Sequence, residues 1–494
     1  ATNGGLVVPR LYSLSNSVNP IAFTNANEEF ERIGVDGVFA NANFGFKELV
    51  FVELGARQDK STTLPSNDNS YFYPSVGTNF VFSNLLKAPF LSHAKLRANY
   101  AEVGNDAPAL ALFDVYDKPA GLGTNPIFSL PGIKNNPTLR SERTKSYEVG
   151  IEAEFYEGRL GFDVTAYKSS SFDQILPVNV TASTGFTGKW VNSGEVQNKG
   201  IEISAFVTPI ETNDFTWKIN FNYTVNRNEV ISLYGEGENE VPNFVLSAFQ
   251  GNVSLNAAKG QPYGIIRGTD FVYTNGQRTV GANGYYLRTS ASDIIIGNPN
   301  PDWTGGVNNQ FSFKNVSLSF LIDVRRGGDI FSLDQWYGEA TGLYANSAGL
   351  NARGVSSRLP VSEGGGILLD GVKADGSPND IYGENRDGYG LTPFGYTAND
   401  GGGAPHKWYV YDGSYVKLRE AMLTYSVPDA VIEKISPFKS IDISFIGRNL
   451  WILKKNMEYS DPEEGLSSGN LNQGYQSGAY PMVRNYGFNV KLGF

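Results

Sequence analysis

The amino-acid sequence predicts an all-β protein, a transmembrane antiparallel β-barrel with long extracellular loops and short periplasmic turns. Stretches that alternate between apolar and polar residues recur along the chain, and a two-residue period is typical of a strand with one apolar and one polar face. The connections between these stretches are alternately short and long, as in outer-membrane barrels. No run of about 18 apolar residues occurs in the 494 residues, so a transmembrane helix is not expected.

The composition narrows the range of functions. The 56 glycines, 31 phenylalanines and 27 tyrosines suit a chain with many strands and turns. Cysteine is absent, which excludes a disulfide scaffold and a thiolate metal site. The formal net charge of −10 argues against a nucleic-acid partner, because such a partner requires a basic surface.

Thirteen strands are predicted in chain order. The clearest is "SYEVGIEAEF", in which Tyr147, Val149 and Ile151 alternate with polar residues, and the last is "NYGFNVKLGF". The predicted strands cover residues 38–44, 50–57, 75–82, 94–100, 146–155, 159–166, 201–207, 215–226, 307–313, 316–324, 419–427, 440–450 and 485–494.

The connections set the orientation of the strands. Short ones are predicted near residues 45–48, 85–90, 156–159, 209–214, 313–316 and 427–438. Long ones are predicted near residues 58–72, 103–143, 173–196, 227–302, 330–412 and 455–482. A bacterial single-chain barrel has an even strand number, and lipid does not tolerate open strand edges. We therefore expect further strands outside residues 1–494, in a separate fragment or another chain.

Six segments, in order, resemble the barrel of the SusC-like (SusC/RagA) TonB-dependent outer-membrane transporters. They are "NPTLRSERTKSYEVGIEAEFYEGRLGFDVTAYKSS", "NSGEVQNKGIEISAFVTP", "GNPNPDWTGGVNNQFSFKNVSLSFLIDVRRGG", "YVKLREAMLTYSVP", "GRNLW" and "YSDPE". The resemblance covers nearly the whole chain.

The resemblance implies that residues 1–494 are the C-terminal portion of a barrel of about 22 strands. The N-terminal plug and the first strands would then lie outside this chain. It implies a Gram-negative outer-membrane location, contact with the lipid bilayer, and nutrient uptake in the form of active import of oligosaccharides or peptides. It also implies three partners: TonB, acting through the missing N-terminal part; the N-terminal plug and barrel half; and a SusD-like surface lipoprotein that acts as a lid.

Aromatic residues in the long loops are the candidates for binding a solute or a partner. Aromatic faces stack on sugar rings, and tyrosine and tryptophan also offer a polar tip. These side chains can equally pack the loops against one another or against the lid. The candidates are Trp336, Tyr337, Tyr344, Trp408, Tyr409 and Tyr411.

Charged residues on the polar faces of the strands are candidates for contact with the plug or the solute. We favour, for most of them, pairing with one another or salt bridges to the plug, because so wide a barrel must be plugged. The alternative is that they line a lumen that guides a solute. The candidates are Glu53, Arg57, Lys95, Arg97, Asp323 and Arg325.

No metal site, cofactor or enzymatic activity is predicted. His93 and His406 are far apart in the sequence and are interpreted as surface or rim residues. The acidic, glycine-rich residues 370–390 lack the spacing of a calcium-binding EF-hand loop. The alternative to a transporter is a non-transporting structural barrel subunit of an outer-membrane assembly or secretion complex.

Overall fold

A computed structural model gives the fold of this chain and describes residues 5–11, 16–18, 32–86, 88–119, 122, 125–235, 240–385, 404–435, 437–465, 472–478 and 480–494. Its main feature is a sheet in which thirteen antiparallel strands follow one another in chain order. The strands are β1 Val35–Phe46, β2 Val50–Ser61, β3 Ser70–Phe80, β4 Leu91–Asn105, β5 Glu142–Phe155, β6 Leu160–Asn179, β7 Gly188–Glu211, β8 Phe215–Ser232, β9 Pro301–Phe313, β10 Val316–Gly327, β11 Tyr415–Ser426, β12 Ser440–Lys455 and β13 Asn485–Gly493.

This sheet confirms the predicted fold class and each of the thirteen predicted strands. A fourteenth, short strand, Ile133–Lys134, lies outside this order and pairs in parallel with Gly188–Lys189 of β7. None of the helices in the described part of the chain is long and apolar enough to cross a membrane.

The register of the strands aligns their apolar faces. Residues that are paired across an antiparallel ladder project from the same face of the sheet. One row of such partners runs from β1 to β8 through Phe46, Val50, Phe80, Leu96, Ile151, Val164, Ile203 and Tyr223. This face is open to its surroundings, since Val149 is 60% and Phe488 is 73% exposed. It is therefore the face that suits lipid.

The opposite face is polar across the same strands. One row of partners runs through Lys95, Glu152, Asp163, Ser204, Asn222, Gly306, Asp323 and Lys417. We call this the lumen face, because an aqueous lumen is the environment that polar strand faces take in a membrane barrel.

The short turns have the backbone geometry that tight hairpins require. Between β1 and β2, Lys47 and Glu48 both have positive φ, 51° and 54°. Positive φ at successive turn residues matches the right-handed twist of the flanking strands. Lys314 in the turn from β9 to β10 also has a positive φ of 51°.

Four of the predicted long connections are long in the structure: residues 106–141, 233–300, 328–414 and 456–484. The prediction was wrong for the other two. Residues 58–72 and 173–196 belong mostly to strands, because β2, β3, β6 and β7 extend past the predicted ends and leave only residues 62–69 and 180–187 as connections. Polar side chains outside the bilayer can continue a ladder without alternation, so hydrophobic period alone ends these strands too early.

The connections between the strands of the large sheet contain short elements of their own. The helices are α1 Leu333–Ala340 and α2 Asp429–Ile432. The short strands are Asn243–Phe249, Val253–Ala258, Ile265–Gly268, Tyr273–Thr274, Gln277–Arg278, Ile294–Gly297, Asp329–Ser332, Ile367–Leu368, Tyr382–Gly383, Val410–Asp412 and Tyr475–Gln476. Single turns of 3-10 helix are formed by Phe82–Asn84, Ala182–Thr184, Ala345–Ser347, Val361–Glu363 and His406–Tyr409.

The two edges of the large sheet are β1 and β13, and within the described residues each pairs with one neighbour only. Every residue of β1 is exposed, on the lumen face as well as on the apolar face. Unpaired backbone groups are not tolerated in the hydrocarbon core. That further strands close this sheet, and that residues 1–494 are the C-terminal portion of the barrel, remain predictions.

The alignment of the apolar and lumen faces predicts that substitutions at two neighbouring residues of β8 have different effects. Phe221 lies on the apolar face and Asn220 on the lumen face. We expect Phe221→Arg to cost about 2–4 kcal/mol in the membrane, because it exposes a cation to lipid. Asn220→Arg keeps the cation on the polar side and is expected to be far milder. The measurement is the abundance of folded protein in isolated outer membranes, and equal losses for the two variants would show that the faces are assigned wrongly.

Candidate functional site

Three long connections fold together into one packed unit on the extracellular side of the sheet. We call it the loop body and define it as residues 243–300, 328–385, 404–414 and 472–478. Its largest sheet joins Asn243–Phe249, Val253–Ala258, Ile265–Gly268 and Ile294–Gly297. A second sheet places Asp329–Ser332 between Val410–Asp412 and Tyr475–Gln476. Segments that are far apart in sequence therefore share one fold.

The core of the loop body is aromatic. Phe331 is fully buried and stacks on Tyr475, with the ring centroids 5.8 Å apart. Trp336 and Tyr409 each meet Phe331 edge-on at 6.4 Å. Tyr475 also stacks on Phe249 at 4.2 Å. Large rings in such offset and edge-on contacts contribute strongly to packing.

Two of the predicted solute-binding aromatics belong to this core. Trp336 is 6% and Tyr409 is 1% exposed. A solute cannot stack on rings that are enclosed in this way, so the expectation of direct contact is wrong for these two. They pack the loops against one another, which is the alternative that the sequence left open.

The other four candidates remain predictions. Tyr337 is 40% exposed, and its hydroxyl bonds to the side-chain amide of Gln250. Tyr344 stacks face to face on Tyr459, with the ring centroids 3.8 Å apart. Trp408 and Tyr411 are half-buried at the margin of the core.

Trp408 links the helix of the loop body to a distant segment. Its indole Nε1 donates to Glu339 Oε2 at 2.7 Å, and Asn346 Nδ2 donates to Glu339 Oε1 at 2.8 Å. Glu339 is only 5% exposed. Burial raises the pKa of the Glu339 carboxyl above its usual range, and the two hydrogen bonds offset only part of this effect.

His406 is also part of the interior, and its interpretation as a surface or rim residue was wrong. It is 4% exposed. Its backbone N–H donates to Thr269 Oγ1 at 3.0 Å, and its Nδ1 accepts from the backbone N–H of Thr269 at 3.0 Å. Burial, and secondarily the charge of Arg288, lower the pKa of His406 to about 4. His406 is thus neutral near pH 7 and joins two connections of the loop body.

Two of the charged candidates on the lumen face pair with carboxylates on nearby strands. Lys95 Nζ lies 2.6 Å from Glu152 Oε2. Arg97 makes two parallel bonds to Asp163, at 2.5 Å and 2.7 Å. Such bidentate pairs hold both side chains in fixed orientations. They join β4, β5 and β6 on the lumen side of the sheet.

The remaining candidates differ in their surroundings. Arg57 bonds to Asp59, with Nε and Oδ1 2.8 Å apart. Arg325 donates to the carbonyl oxygens of Pro299 at 2.9 Å and Gly327 at 3.3 Å. Glu53 is exposed and makes no ion pair within the described residues. A role for any of these residues in contact with a plug or a solute remains a prediction.

A partly buried group of charges ties the last long connection to the lumen face. We call it the ionic latch: Asp323, Lys417, Arg419, Asp461 and Glu463. Lys417 Nζ lies 2.5 Å from both Asp461 Oδ1 and Glu463 Oε2. The guanidinium of Arg419 makes two bonds to Glu463, at 2.7 Å and 2.8 Å, and donates from Nε to Asp323 Oδ2 at 3.0 Å.

The ionic latch is partly shielded from water. The side chain of Lys417 is only 5% exposed. Burial disfavours the charged form of Glu463, but the hydrogen bonds from Arg419 and Lys417 outweigh this and lower the pKa of Glu463 to about 2. The hydroxyl of Tyr415 lies 3.0 Å from Glu463 Oε1 and 3.2 Å from Asp323 Oδ2. Residues 461–463 are therefore fixed against β10 and β11.

A comparison with protein families identifies the family of this chain. Residues 4–309 match the family described as TonB dependent receptor-like, beta-barrel. The chain belongs to the TonB-dependent receptor β-barrel family. It is accordingly an outer-membrane protein, as the sequence predicted.

Two relatives are similar in sequence to this chain. It is 25% identical over 505 residues to the TonB-dependent receptor P26 of Formosa agariphila, a match that covers 94% of this chain and 47% of the relative. It is 25% identical over 358 residues to the TonB-dependent receptor SusC of Bacteroides thetaiotaomicron, which covers 67% of this chain and 35% of SusC. The chain spans about half the length of such relatives or less.

A solved structure shows the same fold. The structure of the RagAB peptide transporter superimposes with a TM-score of 0.72 at 18% identity, covering 99% of this chain and 50% of the other. The RagAB peptide importer in its closed-closed state gives a TM-score of 0.70, also at 18% identity, covering 93% of this chain and 48% of the other. The predicted resemblance to SusC-like receptors is confirmed by these comparisons.

Sequence reasoning missed the ionic latch. Its members lie in three of the segments that carried the resemblance: Asp323 in "GNPNPDWTGGVNNQFSFKNVSLSFLIDVRRGG", Lys417 and Arg419 in "YVKLREAMLTYSVP", and Asp461 and Glu463 in "YSDPE". Two like charges in each of the last two segments were a usable signal, since a lysine and an arginine two positions apart can face two carboxylates that are also two positions apart. Alternation alone did not reveal it, because Arg419 lies at an irregularity in the pairing of β11, where Leu418 and Glu420 are the neighbouring paired residues.

The ionic latch makes a prediction for residues 456–465. We expect Glu463→Gln to lower the local stability of this segment by about 1–3 kcal/mol, since it removes charged hydrogen-bond acceptors from Lys417 and Arg419. The control is Glu420→Gln, which removes an exposed ion pair to Arg448 and is expected to cost less than about 1 kcal/mol. Hydrogen exchange of the backbone amides is the measurement, and equal exchange in the two variants would contradict the role of the latch.

The same contacts set a pH dependence. Because the pKa of Glu463 is lowered in the folded state, its contribution is fully present above its ordinary value of 4.5 and is lost as the pH falls toward about 2. Protection of residues 456–465 is therefore expected to be the same at pH 7 and pH 5. Protection that disappears between pH 7 and pH 5 would show that another group holds the segment.

The aromatic core makes a prediction for adjacent residues of α1. Trp336→Ala removes a buried ring and is expected to destabilise the loop body by about 3–5 kcal/mol. Tyr337→Ala alters a side chain that is 40% exposed and is expected to cost far less. Hydrogen exchange of Val253 and Leu255, which pack in the same core, reports the difference. Similar exchange in both variants would contradict the role of Trp336 in the core and would make it a candidate for contact with a solute again.

Proposed function

We propose that this receptor chain forms part of the wall of an active importer of oligosaccharides or peptides. TonB supplies the energy, through a part of the protein outside this chain, and a SusD-like surface lipoprotein covers the extracellular side. Two findings support the solute classes and the partner: the sequence similarity to SusC and the fold shared with the RagAB peptide transporter. The N-terminal plug and barrel half complete the wall in this proposal.

The observation that carries the proposal is the connection between the loop body and the lumen face. The ionic latch fixes residues 461–463 to β10 and β11, and residues 475–476 enter the second sheet of the loop body. The extracellular loops are thus an ordered platform above a polar wall. Long ordered loops of this kind usually carry function.

The loop body also exposes two leucine side chains on a surface that suits a protein partner. Leu343 is 78% and Leu350 is 75% exposed. Exposed apolar residues on an ordered surface favour a contact with another protein. We assign this surface to the lipoprotein. We also propose that the chain is not an enzyme, because the relatives named above are receptors or transporters.

The second candidate is a non-transporting barrel subunit of an outer-membrane assembly or secretion complex. The connection 106–141 favours it, because this loop exposes Phe113 at 72%, Tyr116 at 69% and Leu122 at 77%. Its base is anchored in a separate core with Leu139, which is fully buried. An anchored loop with an apolar tip is suited to docking as well as to solute capture.

Uptake separates the two candidates. In cells that carry the intact receptor, we expect accumulation of a fluorescent oligosaccharide or peptide that is lost on depletion of TonB or on addition of a protonophore. We expect Glu463→Gln to reduce this uptake and Glu420→Gln to leave it unchanged, because only the first loosens the loops above the wall. Normal folding and surface abundance with no energy-dependent uptake would instead favour the structural subunit.

A further inference from the structure

A cavity of about 330 Å³ on the lumen face is lined mainly by side-chain amides. It lies at the extracellular ends of β6, β7 and β8, where the connection 233–300 and the last connection cover the sheet. The amides are Gln174, Asn198, Asn226, Asn228, Asn300 and Gln473. Tyr263, Ser171 and Val196 complete the lining.

The amides on β7 and β8 orient one another. Asn226 Nδ2 donates to Asn198 Oδ1 at 3.0 Å, and Asn226 Oδ1 accepts from the hydroxyl of Tyr167 at 3.1 Å. Tyr167 crosses directly over Gly200, where a Cβ would lie only 2.6 Å from its hydroxyl oxygen. A glycine is therefore required at this position for the bond to Asn226 to form.

The connection 233–300 continues the arrangement. Asn228 Nδ2 donates to Asn300 Oδ1 at 2.9 Å, and Asn228 Oδ1 accepts from the backbone N–H of Tyr263 at 2.8 Å. Asn300 Nδ2 donates to the carbonyl oxygen of Tyr263 at 2.9 Å. Groups held in this way are oriented before any ligand arrives, which lowers the entropy cost of binding.

Two of the amides that line the cavity have hydrogen-bonding groups that no protein group uses within the described residues. A carboxamide has two N–H donors and an oxygen with two lone pairs. Within the described residues, the Gln174 side chain makes no hydrogen bond to protein, and Asn198 uses only its oxygen. Both line the cavity, so their remaining donors and acceptors are available to a ligand there.

The cavity has no charged lining residue in the described part of the chain. The neighbouring cavity, which shares Asn300 and Gln473, does contain charged residues: Arg325, Glu463 and Glu464. All three are engaged: Arg325 by the carbonyl oxygen of Pro299, Glu463 by the ionic latch, and Glu464 by the backbone N–H groups of Asp461 and Met482. A ligand charge placed among the amides would lose water without gaining an opposite charge, which is unfavourable.

We propose that this amide-lined cavity is a binding site for an uncharged oligosaccharide segment. The proposal rests on the proposed import function and narrows its substrate. Adjacent hydroxyls of a sugar both donate and accept, as carboxamides do, and Tyr263 offers a ring beside them. A free short peptide carries charged termini, and a sulfated or uronic-acid glycan carries anions, so neither matches the lining.

The test is calorimetric titration of the intact, detergent-solubilised receptor with three probes: a linear neutral hexasaccharide, a sulfated hexasaccharide and an unblocked hexapeptide. We expect saturable binding of the neutral probe. Gln174→Met removes a group with no protein partner, and Asn198→Asp keeps the acceptor for Asn226 while replacing the unused N–H₂. Each is expected to weaken binding about fivefold to tenfold, as for the loss of one hydrogen bond.

Asn308→Leu is the matched control, because Asn308 also lies on the lumen face but lines a different cavity. Equal affinity for the neutral probe in the receptor and in all three variants would overturn the proposal. So would binding of the sulfated probe or the peptide in place of the neutral one. Circular dichroism and heat-modifiable migration of each variant show that the barrel is intact.

Failure of this proposal can be told apart from failure of the proposed function. Protonophore-sensitive uptake of the sulfated probe or the peptide, with no uptake of the neutral probe, overturns the assignment of the cavity and leaves import standing. Binding of the neutral probe that depends on Gln174, without uptake of any probe, supports the cavity and refutes import.

Discussion

Backbone hydrogen bonding between neighbouring strands is the constraint on which the rest of this receptor depends. The hydrocarbon core offers no water to satisfy an N–H or a C=O group, so each strand must pair along its whole length with the next. Pairing fixes the register, and the register decides which side chains share a face. The apolar row through Leu96 and Ile151 and the polar row through Lys95 and Glu152 are two results of one ladder. The ion pairs of the lumen face follow from it, because they join residues that the ladder has already brought together.

The sequence predicted the sheet well for this physical reason. Alternation is a local property, and lipid on one side with polar surroundings on the other imposes it on every crossing strand. The strands from β1 to β13 were therefore found, and even the face of Phe221 could be read from its neighbours. The ends of β6 and β7 were missed because their outer parts leave the bilayer, where nothing enforces alternation.

The site was less predictable, because its contacts join distant parts of the chain. Trp336 and Tyr409 were recognised as important aromatics, yet nothing near them in sequence indicates that they enclose Phe331. The carboxylates of "YSDPE" gave no sign of their partners, since Lys417 and Arg419 lie on another strand. The amides around Gln174 and Asn198 could not be predicted for a different reason. Asparagine and glutamine are ordinary residues on a polar strand face, and only the fold brings six of them around one cavity.

The composition of the loop body has a consequence for the order in which the protein folds. Its core joins Val253 and Leu255 from one connection, Phe331 and Trp336 from the next, and Tyr475 from the last. Contacts so far apart in sequence form slowly, because the chain between them must first be brought together. The core can be completed only when β9 to β12 have been added to the sheet and residues 472–478 have arrived. The extracellular side of this receptor is therefore expected to mature last, and its aromatic residues stay uncovered until the wall beneath them is in place.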